Sequence, residues 1–241
     1  MTGWLIPDWP APARIGCAVT LRSGGVSTGP YASWNLATHV GDDPEHVAEN
    51  RRRLRQYLAL PAEPAWLNQV HGDHIVEIAP GRRGTPTADA SFSRRPGVVC
   101  AVLTADCLPV LLTDGRTVAA VHAGWRGLAA GLLDRALTQI PWHRLPLAWL
   151  GPAIGPDAFE VGDEVRTAFL TRDPTLARAF RPHRGRWLAD LYHIARRILQ
   201  TGGVAEIFGG DFCTYTDSAR FFSHRRDGVC GRQATLIWRR A

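Results

Sequence analysis

Apolar residues recur along this chain in two periods. Short continuous runs at Val98 to Leu103, Leu108 to Leu112, Val118 to Val121 and Ala148 to Leu150 have the composition of buried strands. Ile207-Phe208 and Ala234 to Trp238 repeat that character near the C-terminus. Elsewhere the spacing is helical. Val47, Leu54 and Leu58 form a stripe behind Asp43-Pro44-Glu45, where Asp43 is placed to cap and Pro44 to open a helix. Leu128, Leu132, Leu133, Ala136, Leu137 and Ile140 predict one helix after the turn Gly124-Trp125-Arg126-Gly127. Val161, Val165 and Phe169 predict another that stops before Pro174. A third follows from Leu188, Leu191, Ile194 and Ile198, closed by Gly202 and Gly203. The stretch Thr20 to Asp43, rich in Gly, Ser, Pro and Asn, reads as an ordered loop region. Strands and helices alternate throughout with no linker or repeat, so the expected fold is a single α/β or α+β domain spanning residues 1–241.

One segment concentrates polar chemistry at strand ends. Thr104-Ala105-Asp106-Cys107-Leu108-Pro109 leads through Asp114-Gly115 to Val121-His122-Ala123-Gly124-Trp125. Asp-Gly between apolar runs predicts a two-residue hairpin loop. Thr113 would then face Arg116, and Cys107 would face His122 across the pair, with Cβ atoms about 4.5–5.5 Å apart. That separation suits a shared metal ion, a Cys–His nucleophile–base pair, or a buried cysteine beside a core histidine. Asp106 and Arg126 flank the pair, and so much polarity at two strand ends is costly unless it serves a site. His71, in Trp66-Leu67-Asn68-Gln69-Val70-His71-Gly72, is a candidate third ligand that spacing alone does not select. Gly25-Val26-Ser27-Thr28-Gly29 matches a nucleophile elbow by letter, but Pro30 and the residues after it continue as loop rather than helix.

Composition narrows the classes. The 241 residues carry 28 basic and 22 acidic side chains, a formal charge of +6, and every basic residue is arginine. Without lysine there is no Schiff-base or phosphate-loop lysine. The longest basic cluster, Arg51 to Arg55, lies on an expected helix and reads as a solvated face, so no dedicated nucleic-acid partner is expected. Five scattered cysteines read as core residues, ligands or nucleophiles rather than a disulfide framework. No run of ~18 apolar residues predicts a membrane span. Met1 to Pro12 lacks the pattern of a secretory signal, so the expected address is cytoplasmic.

The strings Asn68-Gln69-Val70-His71-Gly72, Thr104-Ala105-Asp106-Cys107, His122-Ala123-Gly124-Trp125-Arg126-Gly127 and Gly151-Pro152-Ala153-Ile154-Gly155 resemble one family. So do Arg22-Ser23-Gly24-Gly25-Val26-Ser27, His39-Val40-Gly41-Asp42-Asp43 and Phe221-Phe222-Ser223-His224-Arg225-Arg226-Asp227-Gly228. These are the bacterial purine nucleoside phosphorylases of the polyphenol oxidase, or laccase-domain, family, and the resemblance runs in order over essentially the whole chain. It implies one domain of mixed β-sheets packed between helices, and a zinc site on His71, Cys107 and His122. It also implies phosphorolysis of adenosine, inosine and methylthioadenosine, with adenosine deamination, by a monomer or homodimer acting on small nucleosides and phosphate. On motif position, Asp106, Cys107 and His122 are the catalytic candidates, and Arg22, Asn68, Arg126 and His224 the substrate-binding ones. Copper oxidation is disfavoured: the only methionine is Met1 and none of the nine histidines forms an H-x-H pair. Three other readings remain open. They are a metal-free Cys107–His122 hydrolase or deamidase, a proofreading hydrolase of cell-wall precursor nucleotide-sugars, and a non-catalytic zinc-stabilised module.

Overall fold

The apolar runs pair into two large sheets laid face to face, with helices on both outer surfaces. The computed structural model describes residues 3–240, so residues 1, 2 and 241 of the expected domain lie outside the described residues. One sheet is antiparallel, in the order Trp4–Leu5, Ile15–Thr20, Gln233–Arg239, Val99–Thr104. The other is mixed, in the order Ile207–Gly209, Leu147–Leu150, Leu108–Thr113, Val118–Ala123, Ala90–Ser93, Ile75–Glu77. A three-stranded sheet of Phe180–His183, Arg186–Ala189 and Glu160–Val161 stands apart from both.

Strand alternation explains the layers. Along Val99–Thr104, Val99, Ala101 and Leu103 pack with Trp34, Leu54 and Trp66 on the side of the helix Pro44–Tyr57. Cys100 and Val102 point the other way, meeting Leu111, Val118, Ala120 and Trp149 of the mixed sheet. The far face of the mixed sheet packs on Leu128, Leu132, Val165, Phe169, Ile194 and Ile198 from the remaining long helices. The result is the layered mixed-sheet α/β architecture expected. Among the described residues no helix is long and apolar enough to cross a membrane.

Several expected elements shift for local reasons. Asp43 caps its helix as expected, its side chain accepting from the Glu45 N–H at 2.8 Å. The single helix expected after Gly124 is two, Trp125–Ala130 and Leu132–Gln139, because Gly131 takes a left-handed φ of 92° between them. Val161 belongs to a strand, and its helix is Asp163–Arg172. Leu188 likewise lies in a strand. Asp190 caps the helix Leu191–Thr201 by accepting from the His193 N–H.

The hairpin register also differs. The loop has four residues, Asp114 to Thr117, so Thr113 faces Val118 and Pro109, not Cys107, faces His122. Asp114 is the cause: Oδ1 accepts from the Arg116 and Thr117 N–H groups, both at 2.7 Å, and Oδ2 from the His143 N–H at 2.7 Å. Thr113 Oγ1 closes the loop by donating to the Thr117 carbonyl. A slip of two residues keeps every side chain on its face, so Cys107 and His122 remain neighbours, diagonally rather than directly.

Candidate metal centre and active-site cleft

His122 sits near the end of Val118–Ala123, and Cys107 immediately precedes Leu108–Thr113. His71 comes from the loop after Val70 and holds a left-handed φ of 59°. The three donor atoms all lie within 4.8 Å of one another. A tetrahedral zinc with bonds of about 2.0–2.3 Å would place its ligand atoms roughly 3.4–3.6 Å apart, so an ion fits this envelope. Two imidazoles and a thiolate with one position left open form the donor set of a catalytic rather than structural zinc. Gly124 lets the donors close: a Cβ there would stand 3.1 Å from Cys107 Sγ and 3.3 Å from His71 Cδ2.

Asp89, fully buried, ties two of the candidate ligands together. Its Oδ1 is 2.8 Å from His122 Nδ1 and accepts from the His71 N–H at 2.9 Å. Its Oδ2 accepts from the N–H groups of Gly72 at 2.7 Å and Val70 at 3.2 Å. The carboxylate therefore shapes the strained turn that presents His71 and leaves His122 Nε2 for the Cys107 side. Burial pushes the Asp89 carboxyl up, but the bonds from His122 and the Gly72 N–H outweigh it, and the net direction is down. Burial would likewise raise the Cys107 thiol; the charge and hydrogen bond of His122, with the bond from His71, outweigh it and favour thiolate. His122 shifts up, because burial is outweighed by the Cys107 thiolate and by Asp89.

These donors open into a cleft of about 390 Å³ whose lining includes Trp125, Phe159, Arg126, Arg225, Arg232 and His39. Arg126 stacks over Trp125, 4.4 Å from its ring centroid, and Arg225 lies over Phe159 at 5.4 Å. Asp106, with φ 92°, lines the cleft, but both carboxylate oxygens are engaged. Oδ1 accepts from Thr214 Oγ1 at 2.6 Å and Oδ2 from the Arg225 N–H at 2.7 Å. His224 also lines it, its Nδ1 bonded to the Gly228 carbonyl.

Arg22 and Asn68 lie outside this lining. Arg22 donates to the Ser218 carbonyl and stacks on Phe222, and Asn68 donates to Thr87 Oγ1. Asp89, which positions two donors, and Arg232, which lines the cleft, lie in none of the motif strings, whereas the cleft residues Gln69 and His39 lie in such strings without an assigned role. An acidic residue inside the apolar stretch Ala88-Asp89-Ala90 was the signal for the first of them.

Residues 16–240 match the family described as multi-copper polyphenol oxidoreductase laccase. A purine nucleoside phosphorylase of Pseudomonas aeruginosa is 53% identical over 244 residues, covering 99% of both chains. The purine nucleoside phosphorylase YfiH of Escherichia coli is 50% identical over 241 residues, again covering 99% of both. Among solved structures, protein NMB0706 of Neisseria meningitidis superposes with a TM-score of 0.95 at 50% identity, covering 100% of both chains. YlmD of Geobacillus stearothermophilus superposes at 0.91 and 33% identity, covering 99% of this chain and 97% of that one.

Proposed function

The chain belongs to the multi-copper polyphenol oxidoreductase laccase family, and from that premise we propose that it is a purine nucleoside phosphorylase, taking adenosine, inosine and methylthioadenosine with phosphate, and that it also deaminates adenosine. The observation that carries the reading is the pairing of a His71–Cys107–His122 donor set with a cleft bearing three arginines. Among the described residues none of the three is ion-paired, and the one carboxylate of the lining, Asp106, is engaged on both oxygens. Such a cleft is prepared for an anionic co-substrate. Names carried by relatives at about half identity over the whole chain support the same activity.

The metal we propose is zinc, on His71, Cys107 and His122; when bound it supplies Lewis acidity. Asp89 orients His122 and the turn carrying His71. Trp125 and Phe159 offer apolar faces to a flat base. In phosphorolysis a phosphate oxygen bonds to ribose C1′ as the C1′–N9 bond breaks, and the purine leaves with a proton. His224 is the side chain we place for that proton. Arg126 is placed for anion contact, Asp106 acts by bracing Thr214 and Arg225, and Arg22 and Asn68 act by supporting the loops they bind. The enzyme would work in the cytoplasm as a monomer or homodimer.

The Cys107–His122–Asp89 chain of hydrogen bonds also has the form of a nucleophile, base and orienting carboxylate, which favours a metal-free hydrolase as the second reading. Turnover of adenosine and inosine with phosphate separates them, comparing wild type and Cys107→Ala of measured zinc content. Ribose-1-phosphate from wild type alone is the expected result. No product from zinc-loaded wild type would sink the phosphorylase reading, and activity surviving full zinc removal would favour the hydrolase.

A further inference from the structure

Phosphorolysis requires a place for phosphate, and the cleft's three arginines are not equivalent. Arg126 and Arg225 are exposed and stacked on aromatic rings, whereas Arg232 is half-buried. Its Nη1 donates to the carbonyls of Cys230 at 2.7 Å and Gly231 at 3.0 Å, which fixes the guanidinium plane. No carboxylate among the described residues pairs with it. A half-buried guanidinium whose plane is fixed by carbonyls and which no carboxylate neutralises is preorganised for an anion.

His39 opens the neighbouring motif His39-Val40-Gly41-Asp42-Asp43 and lines the cleft with an exposed ring. One buried side chain binds its loop to Arg232. Asn35 Oδ1 accepts from the Arg232 N–H at 2.9 Å and the Ala37 N–H at 3.0 Å. Asn35 Nδ2 donates to the Ala37 carbonyl at 3.0 Å and to Asp42 Oδ2 at 2.9 Å. Leu36 N–H donates to the Arg232 carbonyl, and Arg51 holds the Leu36 carbonyl in turn. Partial desolvation, then the charges of Arg232, Arg51 and His71, keep the His39 imidazole below its ordinary range.

We infer that Arg232 and His39, locked together through Asn35, form the subsite that takes inorganic phosphate, an inference that rests on the phosphorolysis reading. Arg232 supplies the charge and the planar donor pair, and His39 supplies a ring donor at the mouth of the cleft. The nucleoside then lies between this wall and Trp125 and Phe159.

The test combines a ³¹P NMR titration of the zinc-loaded protein with inorganic phosphate and steady-state KM values for phosphate and inosine. Arg232→Gln should weaken phosphate binding and raise its KM about tenfold or more, the loss of a charge-assisted contact. The inosine KM should change less than about threefold, because the lost contact belongs to the other substrate. Arg232→Lys should recover part of the phosphate affinity. His39→Ala, on an exposed ring, should raise the phosphate KM severalfold with an unchanged melting temperature, so the test survives even if Arg232→Gln folds poorly. An unchanged phosphate affinity in His39→Ala and in folded Arg232 variants, or an equal rise in both KM values, would overturn the subsite. The titration needs no turnover: phosphate binding that depends on Arg232 without any ribose-1-phosphate would keep the subsite and remove the phosphorylase reading. Wild type that binds no phosphate removes both.

Discussion

Asp89 accepts from three consecutive backbone N–H groups and from His122, and each of those partners helps to place a candidate metal donor. Asp89→Asn keeps the shape but removes the charge and one acceptor. Zinc affinity, measured by competition with a chromophoric chelator, should fall about 10–100-fold, the usual cost of losing a carboxylate behind a ligating histidine. Wild-type affinity in that variant would show that the carboxylate serves only the turn. Gly124→Ala tests packing at the same centre, since its Cβ would press on Cys107 Sγ and His71 Cδ2. It should lower zinc affinity without removing any donor. Cys107 and His122 were legible in the chain because both lie on one hairpin, where alternation survives a register error of two residues. Asp89 was not, because its partners at positions 70 to 72 and 122 meet it only after the mixed sheet has assembled. Arg22 shows the converse: motif position made it a substrate-binding candidate, yet its guanidinium is spent on the Ser218 carbonyl and the Phe222 ring.

At the level of elements, the apolar runs located the central strands well, since both faces of those strands are buried and leave few polar interruptions. Ala90–Ser93 escaped notice because its two serines break the apolar run, although all four residues are buried between neighbours in the mixed sheet. The hairpin loop turned on Asp114, whose side chain replaces a tight turn with a wider hydrogen-bonded loop. Asp114→Ala strands three N–H groups, and it should lower the stability to urea by roughly 2–3 kcal/mol. Zinc affinity should hardly move, because the paired strands Leu108–Thr113 and Val118–Ala123 remain pinned by their buried apolar faces. A large loss of zinc affinity would instead mean that the loop sets the ligand geometry.

For the whole molecule, a metal on the proposed donors would also act on the fold. The donors come from separate parts of the chain, so an ion bound only by the native state must add stability by mass action. Zinc at about a thousand times its Kd contributes roughly 4 kcal/mol, and for a chain of this size that raises Tm by about 10 °C. Zinc removal and reloading should therefore move Tm down and back by about that amount. The three principal apolar clusters, however, are closed by side chains alone: one between the sheets, one beneath the helix Pro44–Tyr57, and one beneath the remaining long helices. The zinc-free protein should thus keep its far-UV circular dichroism and a cooperative transition, unlike small domains whose folding requires the ion. Collapse of the spectrum on zinc removal would point to the zinc-stabilised module. Retention of the fold with loss of turnover is the outcome that belongs to a catalytic centre set at the edge of a core complete without it.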